Sequence, residues 1–310
     1  MHAKLPDLSA IAVIALAALA AGCATNASPP AALVTTDAER LAVLLQRPAL
    51  PSAAELQAAV LGPGTPGVRI FTPHRIKDAE NLARAIAADP AAYRKAAAIC
   101  LPAAQAIQAE AEALMARVAR LLGETMPAPA YVLFGAGNSG GTAGPDGLAL
   151  GLEVLCAGID TPAAARAILM DFVAHEIAHV YQSRQPQAQG RPTLLHQALV
   201  EGFADYVMEQ VRGPGQQGAA AERQRYGLAH EAALWRRFQA DLARGAPFAT
   251  WLYDQKPQAG GQPPDMGYWI GKRICEAYVA RAADRAQALR TLLALRDAGQ
   301  VLRDSGYAPM

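Results

Sequence analysis

Hydrophobic positions recur three and four residues apart over most of this chain, and two short segments alone are strand-like. The helical spacing predicts a helix at 37–46 capped by Asp37. Another should begin after Ser52, where Glu55 at the third position completes a capping-box pattern. Residues 63–73 are rich in Gly and Pro and read as a break, and residues 78–88 as a short helix. From 90 to about 124, Ile99, Ile107, Leu114, Val118 and Leu121 form an apolar stripe, predicting a long helix that Pro102 kinks or divides. Residues 131–134 and 148–155 are strand-like, and the glycine-rich segment 135–147 between them reads as a hairpin connection. Helices then return at 161–184, where Thr161 and Pro162 suit the cap and first turn, and at about 193–211, 219–244, 266–281 and 284–298, with a Trp/Tyr segment at 247–254. The fold class expected is mainly α with a small antiparallel β element, α+β.

The first 22 residues stand apart from this pattern. Residues 10–21 are an unbroken apolar run of signal-peptide length, too short to span a bilayer. The run ends in Leu19-Ala20-Ala21-Gly22-Cys23, which resembles a bacterial lipobox, although Leu is commoner than Ala at the position of Ala20. The resemblance implies cleavage before Cys23 and lipidation of that cysteine; an ordinary secretory signal cut nearby is the alternative. Ala24 follows where Asp would signal inner-membrane retention. The expectation is therefore a lipoprotein of a Gram-negative-type cell envelope, held in the outer membrane and facing the periplasm. The implied organisation is a signal peptide at 1–22, a tether at 23–36, an N-terminal helical region at 37–89 and a main domain at 90–310.

Charge adds a constraint. Lys and Arg number 28 against 27 Asp and Glu, with no basic stripe, which argues against nucleic acid as a partner. Segment 135–147 lacks the Gly-Lys-Ser/Thr ending of a phosphate loop and precedes a strand where such a loop needs a helix. Beyond Cys23, Cys100, Cys156 and Cys275 lack metal-ligand spacing; an oxidising compartment permits one disulfide among them and leaves one thiol over.

The chemistry is concentrated in His175-Glu176-Ile177-Ala178-His179, an HExxH sequence inside the predicted helix 161–184. Positions four apart lie one turn above each other, so both imidazoles can close on one metal ion. Glu176, about 100° round the helix, can reach a metal-held water as general base without ligating the ion. A catalytic zinc usually takes three protein ligands, so a third is sought on the next helix. There Glu201 and Asp205 are four apart and share a face, while Leu199, Phe203, Tyr206 and Val207 can face the core. Glu201 is assigned as the third ligand, and Asp205 as acceptor for the far nitrogen of a ligating histidine. Gly202 leaves room for two helix backbones to come close.

The succession of strands, HExxH helix and Glu201-Gly202-Phe203-Ala204-Asp205-Tyr206 is similar to gluzincin metallopeptidases. More narrowly, it resembles a family of predicted zinc-dependent proteases over about residues 90–295, with a softer match at Gly267-Tyr268-Trp269-Ile270-Gly271. The resemblance implies a zincin-like fold, one Zn2+ per chain, a peptide or protein substrate, and a cleft lined by the strand at 148–155 as sheet edge. Tyr268 and His230 are the candidates to steady the developing oxyanion, by residue type. His74 and His196 read as structural or exposed; Tyr253, Trp251 and Trp269 read as core or cleft wall. The alternatives are a non-catalytic metal-binding lipoprotein, a scaffold lipoprotein with an accidental HExxH, and a divalent ion other than zinc at the site.

Overall fold

The computed structural model describes residues 32–125, 128–186, 191–213, 218–253 and 261–310. The segment expected as signal peptide and most of the expected tether, Cys23 included, lie outside the described residues. Strand β1 (Leu33–Val34) leads into α1 (Thr36–Leu45). Thr35, not Asp37, stands at the cap of α1. Asp37 is buried in the first turn and accepts hydrogen bonds from the Thr65 amide (3.1 Å) and hydroxyl. Helix α2 (Ala53–Leu56) starts at Ser52 with the expected reciprocal Ser52–Glu55 capping box. The Gly/Pro-rich stretch is not a simple break. It holds α3 (Pro66–Phe71), because Thr65 caps Gly67 and Pro66 is pre-set for a first turn.

Helix α4 (Ala79–Ala88) and the pair α5 (Pro90–Ala106) and α6 (Gln108–Leu122) follow. The long helical pattern is divided at Ile107, five residues beyond Pro102, which stays inside α5. The sheet then forms from β2 (Ala130–Leu133), β3 (Gly141–Gly144) and β4 (Gly147–Gly151), in the order β1-β2-β4-β3. It is mixed. β1 and β4 run parallel to β2, and only β3 is antiparallel, to β4.

The strands expected to make a hairpin with each other are therefore parallel neighbours, and the hairpin is β3–β4, turning at Pro145-Asp146. β3 is also the sheet edge, correcting the expectation that 148–155 would be; β4 lies inside the sheet, and Leu152–Leu155 is a helical turn, α7. The Gly-Thr-Ala-Gly of β3 has little intrinsic strand preference, so its pairing with β4 decides its conformation.

Helix α8 (Pro162–Ser183), capped by Thr161 onto the Ala164 amide, carries the HExxH sequence and packs on α5, α6, α9 and β3. Helices α9 (Leu194–Arg212), α10 (Gly218–Ala243), α11 (Met266–Arg281), α12 (Arg285–Ala294) and α13 (Ala298–Ser305) follow, α12 answering to the helix expected at 284–298 and α13 lying beyond it. One buried cluster runs from Leu33 to Val301. A disulfide joins Cys100 on α5 to Cys156 after α7, and Cys275 is a buried free thiol. Among the described residues, no helix is long and apolar enough to cross a membrane.

The tightest helix contact is α9 on α11. A Cβ at Gly202 would lie 2.1 Å from the Gly271 carbonyl carbon, and one at Gly271 would lie 1.7 Å from the Ala198 carbonyl oxygen. The room predicted at Gly202 is thus used, with α11 as the partner. This contact fixes α9, and with it the carboxylates that α9 turns towards α8.

Candidate metal centre

The α8 periodicity places His175 and His179 on one face, and α9 brings Glu201 up to them. His179 Nε2 lies 3.1 Å from His175 Nε2 and 3.1 Å from Glu201 Oε2, and His175 Nε2 lies 3.4 Å from that same oxygen. Each imidazole is oriented from behind. His175 Nδ1 donates to Asp205 Oδ1 at 2.9 Å, and His179 Nδ1 donates to Gln182 Oε1 at 2.6 Å. Gln182 in turn donates to the Val200 carbonyl of α9 at 3.1 Å, tying the end of α8 to its neighbour. With both Nδ1 atoms donating outward, both Nε2 atoms point at each other and at a carboxylate oxygen.

Three electron-rich atoms at this spacing call for a cation. His175 shows the demand: burial opposes its charged form, but the Asp205 and Glu201 carboxylates outweigh burial and lift it to about 10. Burial likewise opposes the charge on Glu201, and His179 and His175 overcome it, holding the carboxyl well below the usual range. A tetrahedral ion with bonds of about 2.0–2.1 Å sets its ligand atoms roughly 3.3 Å apart, close to the observed separations. The donor set of two imidazoles and one carboxylate suits zinc. His175, His179 and Glu201 could hold a metal ion.

Glu176 points to a different place. Its carboxylate rests against Gly141 of β3, where a Cβ would lie 2.9 Å from Glu176 Cδ and Oε1. Among the described residues it makes no hydrogen bond, so both oxygens are open to a proton. Tyr268, on the first turns of α11, stacks on the His175 ring with centroids 6.0 Å apart. Burial and the nearby Glu201 carboxylate push its phenol well above the ordinary value, so it stays a donor. The Arg223 guanidinium lies 4.9 Å over the Tyr268 ring and 3.6 Å from Asp205 Oδ2.

The second oxyanion candidate is not brought in. His230 is exposed at an irregular turn of α10, with its ring against Tyr226 at 4.2 Å, because that stretch of α10 faces outward. His74 is exposed and His196 half-buried. Trp251 and Trp269 are core residues, whereas Tyr253 is not merely wall: its hydroxyl reaches Glu201. Gln182, Arg223 and Gln197 are neighbours that the sequence did not single out, and for Tyr253 it did not announce the contact with Glu201. Only Gln182, three residues after His179 on the same helix face, and Gln197, one turn before Glu201, carried a spacing signal.

An α+β fold with a helix-borne donor set for a divalent cation is thus the class that the geometry defines. A family model described as "Predicted Zn-dependent protease (DUF2268)" matches residues 130–295, more than half of the chain, and the protein belongs to that family. The match begins at β2 rather than near residue 90, so it takes in the whole site together with β2, β3 and β4. No curated protein and no solved structure gives a significant match.

Proposed function

We propose that the protein is a zinc-dependent metallopeptidase of the cell envelope, with one zinc per chain on His175, His179 and Glu201. The observation that carries this reading is the pairing of a cation-demanding donor triangle with an unengaged carboxylate, Glu176, beside a sheet edge. A zinc ion bound there supplies Lewis acidity at neutral pH. Glu176 takes the proton from the attacking water and delivers it to the leaving amine nitrogen. Asp205 and Gln182 keep the two imidazoles in the tautomer that turns Nε2 inward. Tyr268, protonated and without a hydrogen bond to its hydroxyl among the described residues, is the donor for the developing oxyanion.

Among the described residues no strand pairs with the outer side of β3, and an extended peptide can add to it by main-chain hydrogen bonds, passing Glu176 as it does so. The zincin-like arrangement, active-site helix beneath an antiparallel edge strand, belongs to this same reading. So does location: cleavage before Cys23, lipidation there, and an outer-membrane position facing the periplasm. The Cys100–Cys156 disulfide supports an oxidising compartment.

The test is zinc content and cleavage of a mixed peptide library, measured side by side for wild type and Glu176→Gln. We expect one zinc in both, with cleavage lowered at least about 10²-fold in the variant, the scale of a lost general base. Equal cleavage by the two proteins would remove Glu176 from the mechanism. Zinc in the wild type without any cleavage would favour the metal-binding lipoprotein instead.

A further inference from the structure

The two oxygens of Glu201 live in different surroundings. Oε2 faces both imidazoles, at 3.1 Å from His179 Nε2 and 3.4 Å from His175 Nε2. Oε1 turns away and accepts the Tyr253 hydroxyl at 2.5 Å. That hydroxyl is itself held, since Gln197 Nε2 donates to it at 2.5 Å and lies 3.4 Å from Oε1 as well. Gln197 sits one turn before Glu201 on α9, so the amide, the phenol and the carboxylate form a closed triangle on the side away from the histidines.

Tyr253 is placed there at a cost. Its φ of 64° is left-handed, a backbone conformation that is strained for a non-glycine residue. The residue is 49% exposed, so burial does not offset that strain. The ring is braced edge-on by Phe248 at 6.0 Å and Tyr268 at 6.2 Å. A strained, half-exposed tyrosine whose hydroxyl ends on the third donor of a metal cluster is poorly explained as packing.

We infer that Tyr253 is a positioning residue for the metal: by occupying Oε1 it makes Glu201 a one-oxygen ligand and keeps a coordination position open for substrate. Gln197 keeps the phenol in place. A carboxylate with both oxygens free can close on an ion through both and fill that position. The inference rests on the metal-site reading above and names a further residue that acts through Glu201.

The experiment uses the full chain as wild type, Tyr253→Phe and Gln197→Ala. Zinc affinity is measured by chelator competition, the visible spectrum is recorded with cobalt(II) in place of zinc, and the Tm of the metal-free protein is taken. For Tyr253→Phe we expect zinc affinity to rise, by about tenfold at most, because the freed Oε1 can close on the ion as well. Its cobalt absorption should be weaker, marking a higher coordination number, with the metal-free Tm unchanged. Gln197→Ala should move affinity in the same direction by less. Unchanged affinity and spectrum in Tyr253→Phe would overturn the inference and leave Tyr253 a wall residue. A lowered metal-free Tm with an unchanged cobalt spectrum would also overturn it, in favour of a purely structural role. A wild type that binds no zinc would instead remove the metal-site reading, and this inference with it.

Discussion

The floor and the rim of the site are built by different means. The floor is helical: His175 and His179 stand on α8, Glu201 and Asp205 on α9, and α9 is seated on α11 where the Gly202 and Gly271 backbones meet. The rim is made of short pieces. A four-residue edge strand supplies Gly141, and the chain just beyond a single 3-10 turn supplies Tyr253. Floor residues are buried by the packing of whole helices, whereas Gly141 is half-buried and Tyr253 exposed. The donor atoms are therefore as rigid as the core, and the groups that would tune and present substrate sit where few contacts must change to move them.

Breaking the floor should have the largest effect. In Gly271→Ala the new methyl would meet the Ala198 carbonyl oxygen at 1.7 Å, and backbone on both sides leaves only helix displacement as relief. We expect a loss of about 3 kcal/mol or more, at the upper end of overpacking, and a Tm lower by roughly 5–10 °C. Zinc content should fall with it, because Ala198 and Glu201 share a helix. Thermal unfolding with a metal assay checks this, and an unchanged Tm would mean that the α9–α11 seat is soft.

Within the floor, the two histidine supports differ in charge, and this sharpens the comparison. Asp205→Asn removes a carboxylate acceptor and should weaken zinc binding by about 10- to 100-fold. Gln182→Ala removes a neutral acceptor and should sit at the lower end, about tenfold. Chelator competition on both variants decides the order, and equal losses would show that orientation alone, not the Asp205 charge, sets ligand strength.

On the rim, Gly141→Ala should be the mildest. Its methyl would press on the end of the Glu176 side chain at 2.9 Å, and a flexible carboxylate can yield. A displacement of 1 Å costs about 10²-fold in rate, so a few tenths of an ångström should lower peptide cleavage roughly fivefold. Zinc affinity and Tm should remain those of wild type. A loss of zinc in Gly141→Ala would join rim to floor and erase the distinction.

Much of the floor was legible in the chain. HExxH on a predicted helix already brings two imidazoles together, and Glu201 and Asp205 share a face by their spacing. Gly202 beside Glu201 signalled a close helix approach, and the Ser52–Glu55 box and the Thr161 cap were readable because capping depends on residues three apart. The rim was not legible. The Gly-Thr-Ala-Gly of β3 has no strand signature, so by pattern the segment reads as a connection and β2 and β4 as a hairpin. Tyr253 lies 52 residues from Glu201, with no periodicity linking them. Arg223 reaches Asp205 from a third helix in the same unannounced way.

Local spacing by itself therefore determined the helices, the histidine pair with its adjoining carboxylate, and the acidic pair on the following helix, because contacts within one helix follow from a fixed rise and rotation per residue. Tertiary structure alone decided the strand order, which strand became the edge, that α11 rather than α8 fills the space at Gly202, and that Tyr253 and Gln197 close on the far oxygen of Glu201. Those outcomes depend on which surfaces bury each other, and burial is a property of the whole packed chain rather than of any segment's own pattern.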